Sequence, residues 1–159
     1  MRRDKNMRVE NLMTQKVFTV EPQDMIDRVF FLIHYEKVRH LPVVEKGKVV
    51  GIVSDRDLYK ALGPKSNSSS IAAEGTTELH VLPKKVTHIM HRGVITVQPD
   101  TYASKAAALM AENRIGALPV VDTKNKLVGI LSATDILRVF SKIEHASEKR
   151  AEQIAAKAH

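Results

Sequence analysis

Residues 51–58 read GIVSDRDL and residues 129–136 read GILSATDI. The recurrence of a glycine, an apolar pair, a serine and, three residues later, an aspartate decides how the rest of the chain is read. Working outward at an offset of 77, Met13 aligns with Met90, Thr19 with Thr96, Val20 with Val97 and Pro22 with Pro99, and LPVV at 41–44 falls on LPVV at 118–121. One extra residue in DTKNK moves the offset to 78, which places Gly51, Ile52, Ser54 and Asp57 on Gly129, Ile130, Ser132 and Asp135. A unit of about fifty residues therefore occurs twice, too few copies and too long a period for a solenoid. The expected architecture is two half-modules that bury their apolar faces against each other with pseudo-two-fold symmetry.

Each copy predicts the same elements. A short strand, FTV or VITV, meets a proline, and a helix follows near Asp24 or Thr101, whose short oxygen-bearing side chains suit an N-cap. Ile26, Val29, Phe30 and Ile33 share one helical face in the first copy, and Ala103, Ala106, Ala107 and Met110 in the second. Then come LPVV, a turn at KGK or TKNK, a strand VVGIVS or LVGILS, and a closing helix beginning in DRDLYKAL or ATDILRVF. The order is β-α-β-β-α, and the fold class is α/β (α+β). The apolar later strands predict burial on both faces. The boundaries that follow are a basic tail over 1–7, a first domain over 8–62, a flexible Gly- and Ser-rich connector over 63–84, a second domain over 85–142 and a charged helical extension over 143–159. That last helix should project from its module, frayed or docked on a second chain.

Composition narrows the function. The chain of 159 residues, 43% apolar, can bury a core without staples, and it has no cysteine. Disulfides, thiolate zinc sites and a cysteine nucleophile are therefore excluded, which fits the cytoplasm. No run of apolar residues is long enough for a signal peptide or a membrane span. The formal charge of +7 sits mostly at the ends, +3 over residues 1–8 and +2 over 138–159. With no tryptophan, few aromatic residues and no basic recognition helix, nucleic acid is not an expected partner. His88 and His91 lack further ligands at zinc spacing, and no P-loop, HExxH or nucleophile elbow is present, so neither a metal nor a catalytic mechanism is expected.

The paired motifs, each G-apolar-apolar-Ser-x-x-Asp with its own LPVV and TV-x-Pro, resemble the tandem CBS domains of a Bateman module over residues 8–142. The resemblance implies a fold of two such repeats, a stand-alone regulatory role and a ligand containing adenosine: most often AMP, ADP or ATP, with S-adenosylmethionine, NAD-type molecules and cyclic dinucleotides in some members. It also implies a homodimer. By the same resemblance Asp57 and Asp135 bind the ribose diol and Ser54 and Ser132 lie at the ribose or phosphate end. Thr19, Val20, Thr96 and Val97, with the residues around Pro42 and Pro119, form the adenine slot.

Two physical readings of the motif stand side by side. Ser54 with Asp57, and Ser132 with Asp135, fit a capping box. A helix N-terminus is also where a phosphate can meet amides and the positive end of the dipole, and a carboxylate one turn in can accept ribose hydroxyls. The copies differ where phosphate would sit: Arg39, His40 and Arg56 in the first stand against Gly116, Ala117 and Thr134 in the second. Arg39 and Arg56 are candidate phosphate partners through guanidinium fork geometry, so the clefts should differ in affinity. The expected function is nucleotide sensing transmitted to a regulated protein. The alternatives are a structural dimer with unoccupied clefts and a basic regulator associated with nucleic acid.

Overall fold

A computed structural model describes residues 7–62 and 84–157. The expected basic tail and connector lie outside the described residues, apart from Met7 and Lys84. The apolar helical faces form as their spacing predicts. Helix α1 (Ile26–Tyr35) buries Ile26, Val29, Leu32 and Ile33, and α3 (Ala103–Asn113) buries Ala103, Ala106 and Met110. Phe30 and Ala107 are only half-buried.

The helix starts differ from expectation. Met25 and Tyr102 are the N-cap residues, and neither caps through its side chain. Asp24 Oδ2 instead accepts the Glu21 N–H at 2.7 Å, and Thr101 Oγ1 accepts that of Gln98 at 3.2 Å. These oxygens close the turn before the helix, as Asp and Thr side chains do when a nearby amide competes with the helical one. The first orphan amides of each helix are taken by the chain itself: the Ile26 N–H donates to the Lys84 carbonyl at 3.0 Å and that of Ala103 to Met7 at 2.8 Å.

Strands β1 (His40–Glu45) and β2 (Lys48–Ser54) pair antiparallel around a two-residue turn in which both Lys46 (φ 51°) and Gly47 (φ 78°) are left-handed. That twist matches the strands it joins. A register irregularity falls between Val43 and Val44. Strands β3 (Ala117–Val121) and β4 (Leu127–Ser132) form a second two-stranded sheet. Its turn is held by Asp122 Oδ1, which accepts the N–H groups of Lys124 at 2.8 Å and Lys126 at 2.9 Å. These bonds hold the Asp122 carboxyl below its ordinary pKa.

β3 is buried throughout, and β1 from Leu41 to Val43. β2 and β4 instead alternate toward their ends, with Gly51, Val53, Gly129 and Leu131 buried and their neighbours half-buried, so burial on both faces holds for only one strand of each hairpin. The strand expected at FTV and VITV is reduced to one bridging residue, Val20 beside Val43 and Val97 beside Val120, both parallel. Val20 donates to the Pro42 carbonyl at 3.2 Å and accepts from Val44 at 2.8 Å. Two residues later Pro22 has no N–H to continue the ladder. The closing helices are α2 (Asp55–Leu62) and the 25-residue α4 (Ala133–Lys157). Every side chain of α4 from Phe140 to Arg150 is exposed, so the helix runs on past its packed portion.

The chain divides into two compact units. One gathers Lys16–Ile95 with Val121–Leu127, and the other Met1–Gln15 with Thr96–Val120 and Val128–His159. Each sequence repeat thus lends its opening segment to the unit built on the other. In the first unit the 3₁₀ turn Val86–His88 seats Val86 in a core of Val20, Ile26, Val29, Leu41, Val43, Val53 and Leu58, and His91 bridges Ile52. In the second, the 3₁₀ turn Val9–Asn11 brings the fully buried Val9 beside Thr101, and Thr14 bridges Ile130. Burying a valine completely contributes about 1.5–3 kcal/mol, which ties each opening segment to its unit.

Candidate functional site

The glycine of each motif is there for the segment that lies across it. A Cβ on Gly51 would stand 2.8 Å from Met90 Sδ and 3.1 Å from the His91 carbonyl oxygen, and one on Gly129 would stand 2.5 Å from Met13 Sδ and 3.1 Å from the Thr14 carbonyl oxygen. A residue without Cβ lets the opening segment pair with the strand at this distance without being displaced.

The serine and aspartate form a true capping box in both copies. The Ser54 N–H donates to Asp57 Oδ2 at 2.8 Å, and the Asp57 N–H donates to Ser54 Oγ at 3.3 Å. The corresponding distances for Ser132 and Asp135 are 2.9 and 3.2 Å. Each serine hydroxyl also donates to the same Oδ2 at 2.6 Å. Oδ2 is therefore committed to the helix start, and Oδ1 is the oxygen that can do something else. Other amides at the α2 start are also taken: Asp55 N–H donates to the Arg39 carbonyl at 3.0 Å, and Arg56 N–H to Asp55 Oδ1 at 2.8 Å. In the second copy the Ala133 N–H donates to the Gly116 carbonyl at 2.9 Å.

The strand register sets some of the other candidate residues of the first copy opposite the motif. His40 lies across from Ser54 and Pro42 from Ile52, while Val20 sits on Pro42 through its backbone, with Thr19 half-buried beside it. Arg39 is exposed and its Nε donates to Asp55 Oδ2 at 3.0 Å. Arg56 is exposed and makes no ion pair among the described residues. Burial pushes the His40 pKa below 6.5, with Asp55 and Asp57 opposing and Arg39 and Arg56 reinforcing. Burial would raise Asp57, but its bonds from Ser54 and His91 outweigh that and hold its carboxyl below 3.8.

In the second unit Val97 donates to the Pro119 carbonyl at 3.1 Å. Thr96 is half-buried beside it, Ala117 is buried in β3, and Thr134 is exposed on α4. Among the described residues, Asp135 Oδ1 has a long 3.4 Å contact from Arg138.

One participant escapes the reading of the motifs. His91 Nε2 lies 2.7 Å from Asp57 Oδ1, although in sequence it looks like half of a helical pair with His88. His88 belongs instead to the 3₁₀ turn, where its Nδ1 accepts the Lys85 N–H at 3.2 Å, and His91 lies in the extended stretch beyond it. The available signal is the repeat alignment, in which His91 replaces Thr14 directly after the shared methionine.

Two α/β hairpin units, each closing on a glycine-seated strand and a Ser-Asp cap, define a protein built from tandem modules of one type. The CBS domain family model matches residues 9–64 and 86–142, and the chain belongs to the CBS domain family. Homoserine O-acetyltransferase of Methanococcoides burtonii is 38% identical over 132 residues, 82% of this chain but only 24% of that enzyme. An uncharacterized protein of Methanocaldococcus jannaschii is 31% identical over 138 residues, 87% of this chain and 49% of that protein. The chain thus spans half or less of the length of these relatives.

Among solved structures, the CBS domain pair of protein MJ0100, in complex with 5-methylthioadenosine and S-adenosyl-L-methionine, superposes with a TM-score of 0.71 at 28% identity, covering 85% of this chain and 96% of that one. CBSX2 in complex with AMP superposes at 0.69 with 31% identity, covering 86% and 98%. The cytosolic domain of the Mg2+ channel MgtE in complex with ATP superposes at 0.63 with 28% identity, covering 84% and 49%. No helix among the described residues is long and apolar enough to cross a membrane.

Proposed function

We propose that this chain is a regulatory module that senses an adenosine-containing ligand of the AMP, ADP or ATP class at its two Ser-x-x-Asp sites and transmits the bound state to a regulated protein. The observation that carries the reading is the doubled capping box, which commits one carboxylate oxygen to the helix and leaves Oδ1 of Asp57 and Asp135 outside the cap, in the first turn of the helix that follows β2 or β4. A carboxylate so held suits a ribose diol, and Thr19, Val20, Thr96 and Val97 with the prolines offer apolar walls and backbone groups for a purine. With the amides of Asp55, Arg56 and Asp57 already bonded within the chain, phosphates at the first site fall to the side chains of Arg39, Arg56 and His40, where a guanidinium pairs with phosphate in fork geometry. The second site, with Gly116, Ala117 and Thr134, holds phosphate less well. The adenosine ligands of the structural relatives support this reading, and S-adenosylmethionine and NAD-type molecules share the chemistry.

The module acts in the cytoplasm as a homodimer and regulates rather than catalyses. Signalling requires that the ligand favour one of two shapes. Isothermal titration with AMP, ADP and ATP tests the proposal. Asp57→Asn and Asp135→Asn each lower affinity at their own site by about ten- to a hundredfold, the worth of a charge-assisted hydrogen bond. Absence of saturable binding in protein stripped of copurified ligand refutes it. A structural dimer with unoccupied clefts is the second reading, favoured by the exposed Leu137, Phe140 and Ile143 on α4. Unchanged capture of its partner protein by the double aspartate variant would support it.

A further inference from the structure

Given that nucleotide reading, we infer that His91 is the specificity-determining residue that separates the two sites, because its imidazole competes with a ribose diol for Asp57 Oδ1 and so makes the first site proton-linked. With Oδ2 bound twice by Ser54, Oδ1 is the oxygen a diol must take, and His91 Nε2 already stands 2.7 Å from it. The backbone that carries the imidazole is held on both sides: the His91 N–H donates to the Ile52 carbonyl at 2.9 Å, and the Ile52 N–H returns the bond at 3.0 Å. Gly51 permits that approach. Thr14 holds the matching bridge to Ile130 in the second unit and carries no titrating group.

The sign follows from charge. A protonated His91 binds the carboxylate as an ion pair and a diol must displace it, whereas a neutral one offers only a hydrogen bond. Acid therefore weakens diol binding at Asp57 and leaves the Asp135 site unaffected through this route. Among the described residues Asp57 also acts on His40, whose other charged neighbours are Asp55, Arg39 and Arg56. The Asp57 carboxyl, held below 3.8, stays ionised through the range in which histidine changes charge.

The test uses adenosine, which has no phosphate for His91 to attract, titrated into full-length Asp135→Asn protein so that only the first site reports. From about pH 8 to about pH 5, affinity should fall about two- to fivefold, the scale of an exposed ion pair. His91→Thr, which copies the second site, and His91→Gln, which keeps a donor without titrating, should both lose this extra fall. Whatever His40 contributes remains in all three proteins, so the difference isolates His91. Without ligand, the Asp57 carboxyl carbon followed by NMR should titrate at higher pH in His91→Thr than in the parent. An equal pH dependence in parent and variants, or an unmoved Asp57 titration, overturns the inference and leaves nucleotide binding standing. No adenosine or AMP binding by any of the proteins at either pH overturns the nucleotide reading and the inference with it.

Discussion

Asp57 divides one carboxylate between two tasks, and the division is set by single atoms. Oδ2 starts a helix while Oδ1 faces His91. The capping half was legible in the sequence because it joins residues three apart, and short spacing constrains geometry. The His91 half was not, because its contact spans 34 positions and depends on which strand the opening segment crosses. The same residues predict how stability responds to acid. His40 is kept neutral by burial, with its pKa below 6.5 in the fold, so the unfolded chain takes up its proton first and stability declines as pH falls below 6.5. Asp57 is held below 3.8, so its contribution is complete above that value and is lost as pH falls from 3.8 through its folded pKa. Urea midpoints measured across this range should decline in two stages. His40→Gln should remove the earlier one and Asp57→Asn the later.

At the scale of elements, the opening segments matter more than their length suggests. Val86 and Val9 are fully buried, and the strands they lead to are reached only over Gly51 and Gly129. The glycines stand out in the repeat, but their reason does not, since a close backbone approach leaves no mark beyond the missing side chain. Gly51→Ala and Gly129→Ala should each lower stability by about 1–3 kcal/mol in denaturant titrations, as overpacking does. The methionine sulfur can move aside, but the carbonyl behind it at 3.1 Å cannot do so without loosening the bridge. If both variants match the parent, the glycines have another role. The first strand of each copy is shorter than its composition suggests for a related reason: TV has strand composition, but Pro22 and Pro99 end the pairing after one residue.

For the whole molecule, exposed Phe31 and Tyr35 on α1 and exposed Leu137, Phe140 and Ile143 on α4 are large apolar side chains in water, and such groups favour a partner surface. Light scattering of the intact chain should give twice its own mass, and Leu137→Asp with Phe140→Asp should shift it toward the monomer without unfolding it. The sequence by itself determined the duplication, the class of fold, the buried helical faces and the capping aspartates. Each of these follows from periodicity or from neighbours within one turn, where chain geometry leaves few choices. That each repeat completes the other's unit, and that Asp57 therefore meets a histidine where a threonine holds the matching bridge in the second unit, is decided by the tertiary structure. Those outcomes rest on which apolar surface an opening segment buries, a choice settled by packing between residues far apart in the chain.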